Sequence, residues 1–268
     1  MIPNSPHLLV SSSRVVHRGS PLLRVSLNAP PVNALTRDVI GSLRDEIRQA
    51  NAPYSGVRGI LLTSALPKVF SAGLNLAEFS TRDQTVVREY ARQFESLFFE
   101  VASSHVPTAI AVQGACPAGG CVLSLCCDVR IAGQHSNLKF SMGINESRVG
   151  LVPSWIQPLM RANLSSQRTA ERLAQMGHLC SSPVEARSYG FLDEVVETND
   201  LDAVESQAMD RLVELAAVPW NARVSAKLGS RRNLLNLLEK GDPDFPEVVV
   251  GDWFQKQLQE LKKGLKKK

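Results

Sequence analysis

Apolar residues recur at helical spacing in two segments of the first hundred residues. One face of the first segment carries Val39, Ile40, Leu43 and Ile47, and Thr36 before it is a good N-cap. The second segment carries Val87, Tyr90, Phe94, Leu97, Phe98 and Val101. The spacing therefore predicts two amphipathic helices, of which the second is long.

Short apolar runs alternate with these helical segments. Runs at 59–63 and 108–112 are short enough for buried strands, and each is followed by a loop and a helix. Further strands are predicted at Val129–Ala132 and Leu138–Ser141. Because strand, loop and helix recur before residue 130, the pattern indicates an α/β fold.

The N-terminal stretch is basic and rich in serine, which fits the remnant of a transit peptide. However, Leu8–Val10 and Leu22–Leu27 flank turn residues at Arg18–Pro21. We therefore favour an opening hairpin.

Helical patterns dominate from Ser166 onward, and the stretch from about Ala203 to the end has the character of a helical appendage. We divide the chain into a core at 1–200 and a helical region at 201–268. An apolar stripe on the last helix comprises Trp253, Phe254, Leu258 and Leu261. It packs on its own subunit or on a neighbouring one, and the second is favoured because the core is complete without it.

Composition narrows the class of partner. The 268 residues are 44% hydrophobic and carry a net charge of +4, so an anionic ligand is plausible and nucleic acid is not required. Five lysines at 262–268 are interpreted as a solvated helix end rather than a binding patch. No apolar run approaches the ~20 residues of a membrane span, so none is expected.

Four of the five cysteines lie close together, at Cys116, Cys121, Cys126 and Cys127. A metal site is one interpretation, but the spacing matches no zinc signature. Buried free thiols in an apolar run are favoured, and no metal is expected.

Candidate chemistry falls on two glycine-containing loops and one carboxylate. Gly73 and Gly119 each follow a predicted buried strand, and ligands bind beyond the carboxyl ends of such strands. Gly119 also opens a predicted helix, where main-chain N–H groups are free. Glu146 is the only carboxylate between Asp128 and Glu171. It is a candidate proton shuttle, although a solvated loop residue or a partner of Arg148 fits the local sequence as well.

Three segments carry a resemblance to a known family. Residues 70–76 and 114–121 resemble the two oxyanion-hole motifs of the crotonase (enoyl-CoA hydratase/isomerase) superfamily, and residues 168–173 with 185–196 resemble its later segment. The resemblance implies a spiral of ββα repeats and a C-terminal α-helical region that builds a homotrimer, with pairing of trimers left open. It also implies acyl-CoA thioester substrates, with coenzyme A as part of the substrate and no separate cofactor.

The same resemblance implies roles for individual residues. The main-chain N–H groups of Leu74 and Gly119 form the oxyanion hole, and Glu146 is the acid–base. The remaining residues expected to bind substrate are Ala72, Gly73, Asn75, Leu76 and Asn145. Asn75 stands where relatives commonly carry Asp. The acyl chain is expected to run over Leu76, Phe94, Leu97 and Phe98, with Trp155 closing the pocket.

Hydratases of the family hold water between two glutamates, and this chain matches only one of them. Val122 aligns with the first position and Glu146 with the second. A single carboxylate suits a 1,3 proton shift, so the resemblance is strongest to the mitochondrial double-bond isomerases. We therefore expect conversion of 3-enoyl-CoA to 2-trans-enoyl-CoA in the mitochondrial matrix, during β-oxidation of unsaturated fatty acids. The alternatives are a hydratase, another crotonase-type reaction, or a non-catalytic RNA-associated relative.

Overall fold

The computed structural model describes residues 9–134, 137–198 and 200–265. Strands β1 (Val10–His17) and β2 (Ser20–Leu27) pair antiparallel, with Val10 opposite Leu27. Arg18 and Gly19 join them with φ values of 46° and 77°, as a tight hairpin turn requires. The predicted hairpin is confirmed, although its first strand extends from Val10 to the turn; Leu8 lies outside the described residues.

A six-stranded sheet forms the centre of the molecule. Besides β1 and β2, it contains β3 (Ile60–Ser64), β4 (Thr108–Val112), β6 (Val129–Gly133) and β8 (Glu194–Val196). The order of the strands across the sheet is β1-β2-β3-β4-β6-β8. Every pair except β1–β2 is parallel. All residues of β3 and β4 are buried, as the continuous apolar runs predicted, because both faces of the sheet are covered.

Helices cover the two faces of this sheet. They are α1 (Arg37–Asn51), α2 (Gln84–Ser103), α3 (Gly119–Cys126), α4 (Ile156–Asn163), α5 (Gln167–Met176), α6 (Pro183–Tyr189), α7 (Leu201–Ala217), α8 (Trp220–Lys240), α9 (Phe245–Val250) and α10 (Asp252–Leu265). The Thr36 hydroxyl caps α1 by accepting from the Val39 N–H, and both predicted apolar stripes are buried. α7 packs across one face of the sheet, where its residues Leu212 and Ala208 contact Leu61 and Ile131 of the strands. The region that begins at residue 201 thus contributes a layer to the core.

A second, two-stranded sheet lies beside the first. β5 (Ala115–Pro117) pairs in parallel with β7 (Ser141–Gly143). Isolated bridges extend it on both sides, from Val69 to Ala115 and from Met142 to Cys180. The strand predicted at Leu138–Ser141 is wrong except for its last residue. Since β5 has only three residues, β7 pairs with it only from Ser141 onward.

The apolar stripe of α10 divides between interior and surface. Phe254 and Leu258 are buried within their own chain, and the Phe254 ring packs on Phe79 at 6.4 Å. The expectation of packing on a neighbouring subunit is therefore wrong for these two residues. Trp253 and Leu261 remain exposed on the same helix.

The four cysteines at 116–127 are buried and carry free thiols, as predicted, and Cys180 is buried and free as well. Lys266–Lys268, part of the lysine-rich tail, lie outside the described residues. In the described ranges, each helix is too short or too polar to cross a lipid bilayer.

Candidate active site

The first site loop leaves the carboxyl end of β3 and is held against the segment before α1. The Leu35 N–H donates to the Gly73 carbonyl at 2.8 Å, and Leu35 bridges Leu74. This pairing turns the Leu74 N–H away from Leu35. Gly73 has φ of 88°, and a Cβ there would come within 2.7 Å of the Gly119 nitrogen. Glycine is therefore required at 73 by both conformation and space.

Asn33 fixes the base of this loop from within the core. Its Oδ1 accepts from the Ala29 N–H at 2.7 Å, and its Nδ2 donates to the Ser64 hydroxyl and the Phe70 carbonyl, each at 2.8 Å. The Ser71 hydroxyl in turn donates to the Asn33 carbonyl at 2.7 Å. Since Asn33 is fully buried, this network ties β3 and the loop into one rigid unit.

The second site loop runs from β5 into the start of α3. Ala118 precedes the helix at φ 52° and ψ −130°, a conformation that costs a non-glycine residue free energy. This turn places Gly119 against the first loop, so that a Cβ on Gly119 would lie 3.1 Å from the Leu74 nitrogen. Among the described residues, neither the Leu74 N–H nor the Gly119 N–H has a hydrogen-bond acceptor. Two free main-chain donors therefore meet where the loops face each other.

The two-stranded sheet places the segment that leads to Glu146 next to the segment that leads to the Gly119 loop. Pro117 at the end of β5 pairs with Gly143 at the end of β7, and the Ala118 N–H donates to the Gly143 carbonyl at 2.8 Å. Beyond these residues, the segment after β5 leads into Gly119, and the segment after β7 leads into a 3-10 turn at Glu146–Val149. The register of one short sheet thus determines how Glu146 lies relative to the Gly119 loop.

One carboxyl oxygen of Glu146 is removed from water, and the residue as a whole is half-buried. Its Oε2 has almost no accessible surface and no hydrogen-bond partner among the described residues. Burial raises the pKa of Glu146 to about 7, against the partial opposing effect of the main-chain N–H groups of Glu146 and Asn145. A carboxylic acid that titrates near neutral pH suits both halves of a proton transfer.

No carboxylate stands at the position matched by Val122. This residue is buried in α3, one turn after Gly119. No second carboxylate among the described residues shifts the pKa of Glu146, whereas Glu146 itself contributes to raising the pKa of the buried Cys121 thiol. Among the described residues, no other ionisable side chain contributes to the pKa shift of Glu146.

The expected substrate-binding residues line the first loop and the Glu146 turn. Ala72 is exposed, Leu74, Asn75 and Leu76 are half-buried, and Gly73 and Gly119 are buried. Asn145 precedes the 3-10 turn, is half-buried, and does not cap it with its side chain.

Asn75 has a structural hydrogen bond in this arrangement. Its Oδ1 accepts from the Ala77 N–H at 3.1 Å, which an aspartate oxygen does equally well. The Asn75 N–H donates to the Tyr90 hydroxyl at 3.0 Å, and that hydroxyl donates to the Leu35 carbonyl. Tyr90 therefore ties the residue after Leu74 to the segment that pairs with Gly73.

The expected path of the acyl chain is wrong for three of its four residues. Phe94, Leu97 and Phe98 are fully buried in the core, where they hold α2 in place. Trp155 is also buried, with its ring 5.5 Å from that of Phe98, and its Nε1 donates to Glu95. These residues alternate with polar ones at the helical period, and that pattern does not distinguish a core face from a ligand face.

Asn33, Ala118 and Tyr90 are positioning residues that sequence reasoning did not single out. Asn33 lies in a proline-rich break, where an asparagine that tolerates positive φ is a detectable signal; its φ is 48°. Tyr90 lies in an apolar stripe, and a buried tyrosine hydroxyl needs a partner. Nothing in the local sequence marks the strained conformation of Ala118.

The fold and the loop arrangement place the chain among the crotonase-fold proteins. Residues 18–241 match the family model described as Enoyl-CoA hydratase/isomerase. The chain belongs to this family of enzymes, as the three sequence segments predicted.

Two similar proteins share most of their length with this chain. Enoyl-CoA delta isomerase 1, mitochondrial, of Mus musculus is 35% identical over 249 residues, or 91% of this chain and 83% of that protein. The crystal structure of human mitochondrial delta3-delta2-enoyl-CoA isomerase superposes with a TM-score of 0.85 at 30% identity, covering 96% of this chain and 98% of the other. Probable enoyl-CoA hydratase 2, mitochondrial, of Arabidopsis thaliana is 28% identical over only 57% of this chain and 50% of its own.

Proposed function

We propose that the protein is a Δ3,Δ2-enoyl-CoA isomerase that moves the double bond of a 3-cis- or 3-trans-enoyl-CoA to the 2-trans position. The ionised Glu146 removes a proton from C2, which both the thioester carbonyl and the alkene acidify. The dienolate oxygen accepts hydrogen bonds from the Leu74 and Gly119 N–H groups. The same carboxyl group then returns the proton to C4, so no proton is gained or lost overall.

One observation carries this proposal. Among the described residues, Glu146 has a buried carboxyl oxygen without a hydrogen-bond partner, and it follows the strand that pairs with β5 just before the loop of the two free N–H groups. Hydration needs a second group to orient water, and Val122 has neither a proton to give nor an oxygen to accept one. A 1,3 proton shift needs one acid–base whose pKa lies near the working pH, as that of Glu146 does at about 7.

The comparisons support the same choice. The relative named an isomerase covers more of this chain, at higher identity, than the relative named a hydratase. The names of the isomerase relatives also support a mitochondrial location. Participation in β-oxidation of unsaturated fatty acids and assembly into a homotrimer complete the proposal; sedimentation of the purified chain tests the assembly.

The decisive experiment compares isomerisation of 3-enoyl-CoA esters with hydration of crotonyl-CoA. We expect the parent chain to isomerise and not to hydrate, and Glu146→Gln to lose at least ~10²-fold in kcat because the proton acceptor is gone. In the parent, kcat/KM should rise with pH through about 7 as Glu146 ionises. Full activity in Glu146→Gln, or hydration faster than isomerisation, would contradict the proposal.

A further inference from the structure

A cluster of metal-ligating side chains lies along the edge of β7 that is opposite to β5. It comprises His178 and Cys180, in the segment between α5 and α6, and Glu185, in the first turn of α6. One ligand atom from each residue lies within 4.8 Å of the other two, and His178 Nε2 is 2.8 Å from Glu185 Oε1. No step of the proposed isomerisation uses these residues.

The main chain already holds two of the three ligands in place. Cys180 exchanges two hydrogen bonds with Met142, at 3.1 Å and 2.8 Å, which fasten it to β7. Glu185 Oε2 accepts from the Ser181 N–H at 2.8 Å, which leaves Oε1 directed at His178. The His178 and Glu185 side chains are 26% and 29% exposed, so a cation can reach them from solvent, whereas Cys180 is buried beneath them.

The donor set suits zinc in type, distance and charge. Thiolate, imidazole and carboxylate are its usual protein ligands, at roughly 2.3, 2.0 and 2.0 Å. A tetrahedral ion with these bonds separates its ligand atoms by about 3.3 to 3.5 Å. The distances between the ligand atoms therefore need to change by about 1.5 Å or less to reach this geometry. A thiolate and a carboxylate also neutralise the two positive charges of the ion.

We propose that His178, Cys180 and Glu185 bind a zinc-type divalent cation, with water in the fourth position. On binding, the Cys180 thiol gives up its proton to solvent, and neutral His178 coordinates through Nε2 instead of hydrogen bonding to Glu185. The sequence expectation of no metal considered the cysteines at 116–127, and Cys180 is outside that group. This proposal is independent of the proposed isomerase activity.

The site adjoins the segment that carries the acid–base. Met142 precedes Glu146 by four residues, and a Cβ on Gly177 would lie 2.8 Å from the Ser147 hydroxyl. A bound cation would therefore fasten the strand that leads into the Glu146 turn.

Cadmium is the test probe, because a Cd²⁺–thiolate bond adds an ultraviolet charge-transfer band. We expect the folded full-length chain, reduced with a phosphine, to develop this band at one equivalent of Cd²⁺, and Zn²⁺ to displace it. Cys180→Ala should abolish the band, and His178→Gln should weaken binding at least tenfold. The matched control Cys126→Ala removes another buried thiol and should bind as the parent does.

Circular dichroism establishes that each variant is folded before titration. His178→Gln keeps a group that can donate to Glu185 but loses the edge-on contact of the ring with Tyr189, so its fold is checked in the same way. The proposal is overturned if the folded parent shows no band at one equivalent, or if the band persists in folded Cys180→Ala.

Discussion

At the scale of single residues, Glu146 combines a carboxyl oxygen that has no hydrogen-bond partner among the described residues with a pKa of about 7. The raised pKa means that the folded chain holds this proton more tightly than the unfolded chain does. Below the ordinary pKa of about 4.5 both states are protonated and the effect vanishes. As pH rises to about 7 the unfolded chain ionises first, so Glu146 progressively destabilises the fold.

Replacing Glu146 by Gln should therefore stabilise the protein at neutral and alkaline pH. We expect the gain over the parent to grow between pH 4.5 and 7 and then level off, at up to about 3 kcal/mol. Urea unfolding of both chains across this range measures it. If the free energies of unfolding of the two proteins change with pH in parallel, burial does not raise the pKa of Glu146.

Gly119 presents the opposite case, a residue whose lack of a side chain matters. A Cβ there would lie 3.1 Å from the Leu74 nitrogen, in the space that the dienolate oxygen is proposed to occupy. We expect Gly119→Ala to lower kcat by at least ~10²-fold, similar to the loss of one oxyanion donor.

Gly229 on α8 provides the control for this substitution. A Cβ at Gly229 meets no atom within 4 Å, so Gly229→Ala should leave kcat unchanged and stabilise the helix by ~1 kcal/mol. Steady-state assays and thermal melts on both variants separate blockage of the site from a general effect of alanine. An active Gly119→Ala would contradict the assignment of the hole.

At the scale of elements, α2 supports the first site loop through Tyr90. Its hydroxyl bridges the Asn75 N–H and the Leu35 carbonyl, which flank the Leu74 donor. Removing it in Tyr90→Phe leaves the buried Leu35 carbonyl and the half-buried Asn75 N–H without this partner, at a cost of ~1–3 kcal/mol. We expect both the melting temperature and kcat to fall.

The exposed Tyr54 offers a matched substitution, since Tyr54→Phe removes a hydroxyl that is fully in solvent. It should change neither quantity. If Tyr90→Phe lowers stability but leaves kcat intact, the hydroxyl supports the core and not the position of Leu74.

The elements also show what the sequence determines locally. The apolar stripe of α2 and the runs of β3 and β4 predicted their elements, because burial on one or both faces imposes a period. β7 was misplaced because its bounds depend on β5, a partner 26 residues earlier in the chain. The motifs predict Glu146 and the two glycine loops as site candidates. Local signals mark Asn33 and Tyr90 as residues that need partners, but they do not predict the partners, which lie far away in the sequence.

At the scale of the whole molecule, a buried ionic cluster joins the helical region to the sheet. Asp128 accepts from the Thr108 N–H at 2.9 Å, contacts Lys227 Nζ at 2.9 Å, and lies 3.2 Å from Arg231. Arg231 also donates to the Cys126 and Cys127 carbonyls at the end of α3. α8 is thus attached to the same helix that begins at Gly119.

Asp128→Ala should destabilise the chain by ~3–5 kcal/mol, because it leaves two buried or half-buried cations without their counter-charge. We expect a single unfolding transition at lower denaturant concentration, detected identically by fluorescence and circular dichroism. Two separated transitions would instead show that the helical region unfolds independently. The more conservative Asp128→Asn, which keeps one acceptor for the Thr108 N–H, should have a smaller effect.

The proposed donors at Leu74 and Gly119 belong to the peptide backbone, whereas the proton acceptor at Glu146 is a side chain. Substitution can delete the acid–base in one step, but it can only obstruct the donors or displace them. Loss of Glu146 would therefore leave a protein that still holds the thioester and no longer turns it over. Such a chain would compete with active relatives for the same substrate. A substitution that abolishes catalysis would then also withhold substrate from the active proteins.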